Sequence, residues 1–206
     1  MYKIMYNKFF QTYESMADDV ALLIKNLNLR QLQLIGHSMG GNTAALIAAK
    51  YPNLIKKVIL EEPGFSFSDI SPIKKVFYKF AMKIMIPRLL KGSYEELFKK
   101  GRKQNPLWSD EELKTWAESK IQFRENNPKL LFKLLNSSYE WKDIVQNISC
   151  PLLLITSDKG ITSDKLAQRV IEICKDGRWV KIEGAGHNIR REQFGQYIQA
   201  IEEFLD

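Results

Sequence analysis

One segment near the start of the chain constrains its fold more than any other: LQLIGHSMGGNTAALIAAK, at Leu32–Lys50. A short apolar run is followed by a glycine-rich turn and then by an alanine-rich apolar run that favours helix. The order strand, turn, helix predicts a sharp turn at Ser38, with the hydroxyl pointing outwards. Gly36 and Gly40 flank this serine at positions where we expect a Cβ atom to collide with the turn.

A serine in this position has the surroundings that a nucleophile needs. The backbone N–H of Met39 would lie at the N-terminus of the following helix, where it can stabilise a developing oxyanion. The competing interpretation is a plain strand–turn–helix unit with a surface serine. The rest of the chain therefore has to supply a base and an acid if Ser38 is catalytic.

The motif LIGHSMGG resembles the nucleophile elbow of the α/β-hydrolase superfamily. The resemblance implies an α/β fold with a mostly parallel sheet and Ser38 as the nucleophile. It also implies an acid and then a histidine later in the chain. It implies a small-molecule ester or related acyl substrate, with no metal and no organic cofactor.

The chain contains two histidines. His187 follows the last predicted strand in the sequence GAGH, which is similar to the histidine turn of the same superfamily. His37 lies beside the serine, and we expect it to point away from the reacting atoms. His187 is therefore predicted to be the base for Ser38.

The acid has more than one candidate. Asp158 directly follows the predicted buried strand Leu152–Thr156, in a segment that resembles the acid loop of the superfamily, and it is the first choice. Gly160 stands where the acid often stands in that loop. Glu61 and Glu62 end an earlier apolar strand and remain as alternatives, although a local capping or pairing role suits them better.

Between the strands lies a long segment with almost no strand pattern. Four helices are predicted there, at about 70–90, 94–104, 110–126 and 128–137. The resemblance implies that these helices form a lid over the serine, with an apolar pocket beneath it. The predicted division is a partial core at 1–64, a helical lid at 65–149 and the remaining core at 150–206.

In the superfamily, further strands precede the segment that this chain resembles, and the sequence shows no match to them. We therefore expect the chain to lack the loop that supplies a second oxyanion N–H, and we expect the strand at Leu32 to be an edge of the sheet. Either Met1–Gln11 partly covers that edge, or another chain does, or the protein is poorly stable alone. The alternative function is therefore a truncated, non-catalytic or weakly active relative that acts as a binding module.

The charge of the chain bears on its partners. The net charge of +7 comes from lysines spread along 206 residues, so we expect a lysine-rich surface and no nucleic-acid partner. Lys75, Lys79 and Lys83 recur every four residues, which is also compatible with a helix that binds membranes. The preferred interpretation places these lysines in water, without membrane contact.

Compartment and function complete the sequence prediction. Cys150 and Cys174 lack metal-type spacing, and neither a signal peptide nor an apolar run of about 18 residues is visible. We therefore expect a cytoplasmic serine hydrolase that acts on an ester or acyl substrate. Its substrate and oligomeric state remain open.

Overall fold

A computed structural model describes residues 12–67, 70–125 and 140–206. Its centre is a parallel sheet with the strand order β1-β2-β3-β4. This confirms the α/β class and the parallel sheet. The four strands are β1 Leu32–His37, β2 Ile55–Glu61, β3 Leu152–Ser157 and β4 Gly177–Ile182.

Helices connect the strands and cover the sheet. The predicted helices agree with the structure to within a few residues where the structure describes them, and the one predicted at 128–137 lies outside the described residues. Two short 3₁₀ helices, Pro52–Leu54 and Gly64–Phe67, flank β2. The α-helices are α1 Tyr13–Asn26, α2 Met39–Lys50, α3 Pro72–Leu89, α4 Tyr94–Gln104, α5 Asp110–Glu125, α6 Trp141–Gln146, α7 Asp164–Ile173, α8 Ile189–Glu192 and α9 Phe194–Leu205.

The two central strands, β2 and β3, are buried on both faces, which explains why they are continuous apolar runs. On β2, Val58 and Leu60 face a cluster that includes side chains of α1, α2, α6 and α7. Ile59 faces the opposite cluster, which is built mainly from α8, α9 and the loop before them. The sheet is thus the middle layer of three, as expected for parallel strands joined by helices.

The helices α3–α5 lie in the chain between β2 and β3. Leu97 and Leu113 are completely buried, and a Cβ atom added at Gly101 would meet Leu113 and Trp116. Side chains of α4 and α5 therefore form a small core of their own. Within residues 12–67, 70–125 and 140–206, no helix is both long and apolar enough to span a membrane.

Strand β1 is an edge of the sheet that the described residues form, as the sequence predicts. Its residue Ile35 is 47% exposed, whereas Ile59, its register partner on β2, is completely buried. The expectation that Met1–Gln11 partly covers this edge concerns residues outside the described part of the chain.

Candidate active site

The predicted site residues follow the carboxyl ends of the four strands. Because the strands are parallel and in register, their carboxyl ends meet at one edge of the sheet. Ser38 follows β1, Glu62 follows β2, Asp158 follows β3, and the loop that carries His187 follows β4. Sheet topology therefore brings these four segments together.

The backbone of Ser38 adopts a conformation that is rare for a residue with a side chain. Its φ is +54° and its ψ is −117°. The Ser38 N–H donates to the carbonyl of Glu61 at 2.9 Å, and the Ser38 carbonyl accepts from the N–H of Gly41 at 2.9 Å. Strand and helix thus hold the strained turn from both sides, and they leave Met39 as the first residue of α2.

The two glycines of the motif differ in their surroundings. A Cβ atom at Gly36 would lie 2.2 Å from the carbonyl oxygen of Gly40 and 2.8 Å from the Cβ of Ala44. A Cβ atom at Gly40 would have no described atom within 4 Å. The expectation that both positions exclude a side chain is therefore confirmed for Gly36 and wrong for Gly40.

His37 contacts His187, contrary to the expectation that it points away from the site. The His37 Nε2 atom lies 2.8 Å from the carbonyl oxygen of His187, and the two ring centroids are 4.6 Å apart. For this contact to be a hydrogen bond, His37 must carry a proton on Nε2. The residue next to Ser38 thus holds the loop that carries the predicted base.

Burial keeps both histidines in the neutral form at neutral pH. It lowers the pKa of His187, and the neighbouring His37 lowers it further, while the carboxylates of Glu62, Glu61 and Glu192 act in the opposite direction. Burial likewise lowers the pKa of His37. A general base has to be unprotonated before it can accept a proton, so the lowered pKa of His187 suits that role.

The carboxylate that faces the ring of His187 is that of Glu62. Glu62 Oε2 lies 4.0 Å from Nδ1 of His187, and the Glu62 side chain is completely buried. Nδ1 is itself buried and has no hydrogen-bond partner among the described residues. The separation exceeds a hydrogen bond, so a small movement of either side chain has to close the contact.

Backbone N–H groups hold the Glu62 carboxylate in place. Oε1 accepts from the N–H of Ser157 at 2.8 Å, and Oε2 accepts from the N–H groups of Ile161 and Thr162 at 2.7 and 2.9 Å. A Cβ atom at Gly160 would lie 1.9 Å from Glu62 Oε1. The space left by the missing side chain of Gly160 is therefore filled by the carboxylate.

Asp158, the first choice from the sequence, has a different place. Its side chain is exposed, and Oδ1 accepts from the N–H of Ala185 at 3.2 Å. The geometry therefore favours Glu62 over Asp158 as the partner of His187. Two features of the sequence indicate Glu62 in place of Asp158. Gly160 stands where the superfamily often has its acid, and a glutamate directly follows β2.

Glu61 belongs to a separate ion pair. Its Oε2 atom lies 3.1 Å from Nη1 of Arg190, and its side chain is completely buried. Burial, followed by the nearby Glu61 carboxylate, raises the pKa of Tyr197 to about 12. Of the two adjacent glutamates, Glu61 therefore pairs with Arg190 while Glu62 faces His187. Among the described residues, no group of three or more His, Cys, Asp or Glu side chains could hold a metal ion.

Comparison with known structures defines the class of protein first. The crystal structure of E-2-(acetamidomethylene)succinate hydrolase superposes with a TM-score of 0.75 at 20% identity, over 97% of this chain and 76% of that chain. A marine microorganism esterase gives a TM-score of 0.64 at 28% identity, over 93% of this chain and 77% of that chain. The fold is that of the α/β-hydrolase superfamily.

The family follows from sequence comparison. The profile of the family described as serine aminopeptidase, S33, matches residues 6–193, and the chain belongs to this family. A Haemophilus influenzae protein named as an esterase/lipase is 29% identical over 206 aligned residues, which cover 94% of this chain and 67% of that protein. These relatives place the chain among the hydrolases. The chain spans about two thirds of the length of the Haemophilus protein.

Proposed function

We propose that the protein hydrolyses carboxylic esters or related acyl compounds through Ser38, His187 and Glu62. The observation that carries the proposal is the meeting of three features at one edge of the sheet. These are the strained serine turn, a histidine with a lowered pKa, and a buried carboxylate beside Nδ1 of that histidine. The esterase names of relatives support the acyl class of substrate.

The first half of the reaction forms an acyl-enzyme. Ser38 Oγ attacks the substrate carbonyl carbon, and His187 accepts the hydroxyl proton on Nε2. The Met39 N–H, at the N-terminus of α2, stabilises the oxyanion. His187 then gives its proton to the leaving alcohol, and the carbon–oxygen bond of the ester breaks.

The second half of the reaction releases the acid. Water attacks the acyl carbon while His187 accepts a proton from the water. His187 then gives that proton to Ser38 Oγ as the bond between Oγ and the acyl carbon breaks. Throughout, Glu62 orients the imidazole and stabilises its positive charge. The N–H groups that its carboxylate accepts hold it in place for this role, and the proton stays on the imidazole.

We assign α3–α5 the role of a lid over this site. They are inserted between β2 and β3, and contacts described below join α5 and the connection between α4 and α5 to α8, the helix that follows His187. A lid of this kind excludes water from the acyl-enzyme and forms part of an apolar substrate pocket.

Covalent labelling with a fluorophosphonate tests the nucleophile and its base. We expect the purified chain to be labelled, Ser38→Ala to abolish labelling, and His187→Ala to slow it at least about 100-fold. Ser119→Ala, at an exposed serine of α5, is the matched control and should label as the parent does. A folded parent chain that fails to label would reject the proposed activity in favour of a non-catalytic relative.

A second pair of variants tests which carboxylate serves His187. Glu62→Gln should lower kcat by roughly 10³-fold or more, because it removes the charge that stabilises the imidazolium, whereas Asp158→Asn should stay within about threefold of the parent. Circular dichroism confirms that both variants are folded. The reverse result would make Asp158 the acid. Short p-nitrophenyl esters and amino-acid p-nitroanilides serve as substrates, so that ester and aminopeptidase activity are compared directly.

A further inference from the structure

A carboxylate outside the proposed triad joins two parts of the molecule that are distant in sequence. Glu192, the last residue of α8, has its Oε2 atom 2.5 Å from the N–H of Gly186, which donates to it. Its Oε1 atom accepts from Nε1–H of Trp108 at 3.3 Å. Trp108 lies between α4 and α5 and is 97% buried. Each oxygen of the Glu192 carboxylate therefore has one donor: one is the backbone N–H before His187, and the other is the indole N–H between α4 and α5.

A parallel contact strengthens the same junction. The guanidinium of Arg191 lies 4.5 Å from the ring centroid of Trp108, and its Nε atom lies 2.6 Å from Glu112 Oε2 on α5. Arg191 and Glu192, both on α8, thus contact the helical insertion, which comprises α3–α5. A cation over an indole ring and an ion pair add to the hydrogen bond, so Trp108 is held by several interactions at once.

The peptide group that Glu192 holds is the one that immediately precedes the proposed base. The Gly186 N–H donates to Glu192, and the Gly186 carbonyl lies 2.8 Å from Oγ of Ser157. The same Ser157 Oγ lies 3.1 Å from Oε1 of Glu62. The peptide before His187 is therefore held at its carbonyl by Ser157, which also contacts Glu62, and at its N–H by Glu192.

We propose that Glu192 is a positioning residue that couples the helical insertion to His187 through Trp108 and the Gly186 peptide. This proposal rests on the proposed function, because it concerns the orientation of the base in that reaction. When α4 and α5 dock, the indole N–H orients the Glu192 carboxylate, and the carboxylate fixes the peptide from which the His187 side chain extends. When they move away, the carboxylate loses one of its two donors and the peptide is held less firmly.

Two variants separate the hydrogen bond from the charge. Trp108→Phe removes the indole N–H but keeps an aromatic ring beside Arg191, and it changes no charge. Glu192→Gln keeps the size of the side chain but removes the charge and leaves only one acceptor oxygen for two donors. Trp116→Phe, on the same insertion, and Glu202→Gln, at an exposed position of α9, are the matched controls.

The rate constant of fluorophosphonate labelling and its pH profile give the readout. Glu192→Gln should slow labelling about 10-fold and move the acid limb of the profile to lower pH. The charged or titratable groups that act on His187 are Glu62, Glu61, Glu192 and His37, and Glu192 is one of those that raise its pKa. Trp108→Phe should slow labelling about fivefold with the acid limb unmoved, since one hydrogen bond is lost without a charge.

Ester hydrolysis gives a second readout. Both variants should lower kcat and leave KM within about twofold, because the orientation of the base acts on the chemical step. The two control variants should match the parent in labelling rate, pH profile and kcat. If Trp108→Phe and Glu192→Gln also match the parent, or if they lose only thermal stability while the folded fraction reacts normally, the positioning role is wrong.

Hydrogen–deuterium exchange separates this inference from the proposed function. We expect the backbone segment 183–190 to exchange faster in Trp108→Phe and Glu192→Gln than in the parent or the controls. If both variants exchange faster than the parent but the parent does not label, the coupling is supported and the activity is rejected. If the parent labels but both variants exchange as slowly as the parent, the coupling is rejected and the activity stands.

Discussion

At the scale of single residues, the site depends on two backbone conformations that side chains rarely adopt. Ser38 has a φ of +54° and Glu62 a φ of +44°, and each directly follows a strand of the sheet. Such conformations cost about 1–3 kcal/mol each and persist where the surroundings determine them. At Glu62 the surroundings include the Ile155 carbonyl, which accepts the Glu62 N–H at 2.9 Å. Two of the three residues of the proposed triad, Ser38 and Glu62, thus leave the sheet in strained backbone conformations.

The contact between Gly160 and Glu62 gives the prediction at this scale. Gly160→Ala should lower the free energy of unfolding by about 2 kcal/mol and reduce kcat at least about 10-fold, because the new Cβ atom displaces the Glu62 carboxylate. Gly195→Ala, in α9, is the control: no described atom lies within 4 Å of its added Cβ, and the free energy of unfolding should rise by about 0.5–1 kcal/mol. Urea unfolding and ester hydrolysis measure both. Normal activity in Gly160→Ala would contradict the role of Glu62.

At the scale of secondary-structure elements, the elbow is the close packing of β1 against α2. Gly36→Ala should destabilise the protein by about 3 kcal/mol or prevent folding, since its Cβ atom would meet the backbone of Gly40 and the side chain of Ala44. Gly40→Ala should leave the free energy of unfolding unchanged or raise it by up to about 1 kcal/mol, as expected for a helical glycine in open space.

Denaturant unfolding of both variants shows whether the stability of the turn depends on the close packing at Gly36 or equally on both glycines of the motif. If the two substitutions destabilise equally, the close approach at Gly36 is not what maintains the turn. Far-UV circular dichroism at low denaturant shows whether Gly36→Ala has a folded state to measure.

The sequence predicts the strands and helices well but does not predict the long-range contacts at the site. Continuous apolar runs predict the buried strands, and helical periodicity predicts α4 and α5 to within a residue. These are local signals. The proposed acid is different, because the position of the Glu62 carboxylate depends on the positive φ of Glu62 and on the space that Gly160 leaves nearly 100 residues later. The Glu192 contact with Trp108 likewise joins residues 84 positions apart, and no local pattern indicates it.

At the scale of the whole molecule, protonation of the two histidines couples the site to stability. The chain has two histidines, both partly buried and in contact, and burial lowers the pKa of each. An unfolded chain would bind protons at these residues near pH 6.5, before the folded protein does. Stability is therefore full above about pH 6.5 and is lost as the pH falls from there towards the lowered pKa values of the folded state.

Thermal unfolding between pH 5 and 8 measures this loss. The parent chain should have a constant Tm above about pH 7 and a falling Tm from about pH 6.5 to 5. The double variant His37→Gln, His187→Gln should lose most of that slope. An equally steep fall in the double variant would place the titration on other groups. The Asp18 pair with Lys50 does not enter this window, because that pair lowers the pKa of Asp18 from an ordinary value already near 4.

The single variant His37→Gln connects stability with chemistry. His37 lowers the pKa of His187, so its removal should move the acid limb of Ser38 labelling to higher pH, while the pH dependence of Tm becomes shallower. The two shifts have different causes: the first comes from the loss of the repulsion between the two rings when both are protonated, and the second from the loss of one titrating group. A labelling profile that stays in place would show that the two rings do not interact electrostatically, and that His37 acts on His187 only through the contact between its Nε2 atom and the His187 carbonyl.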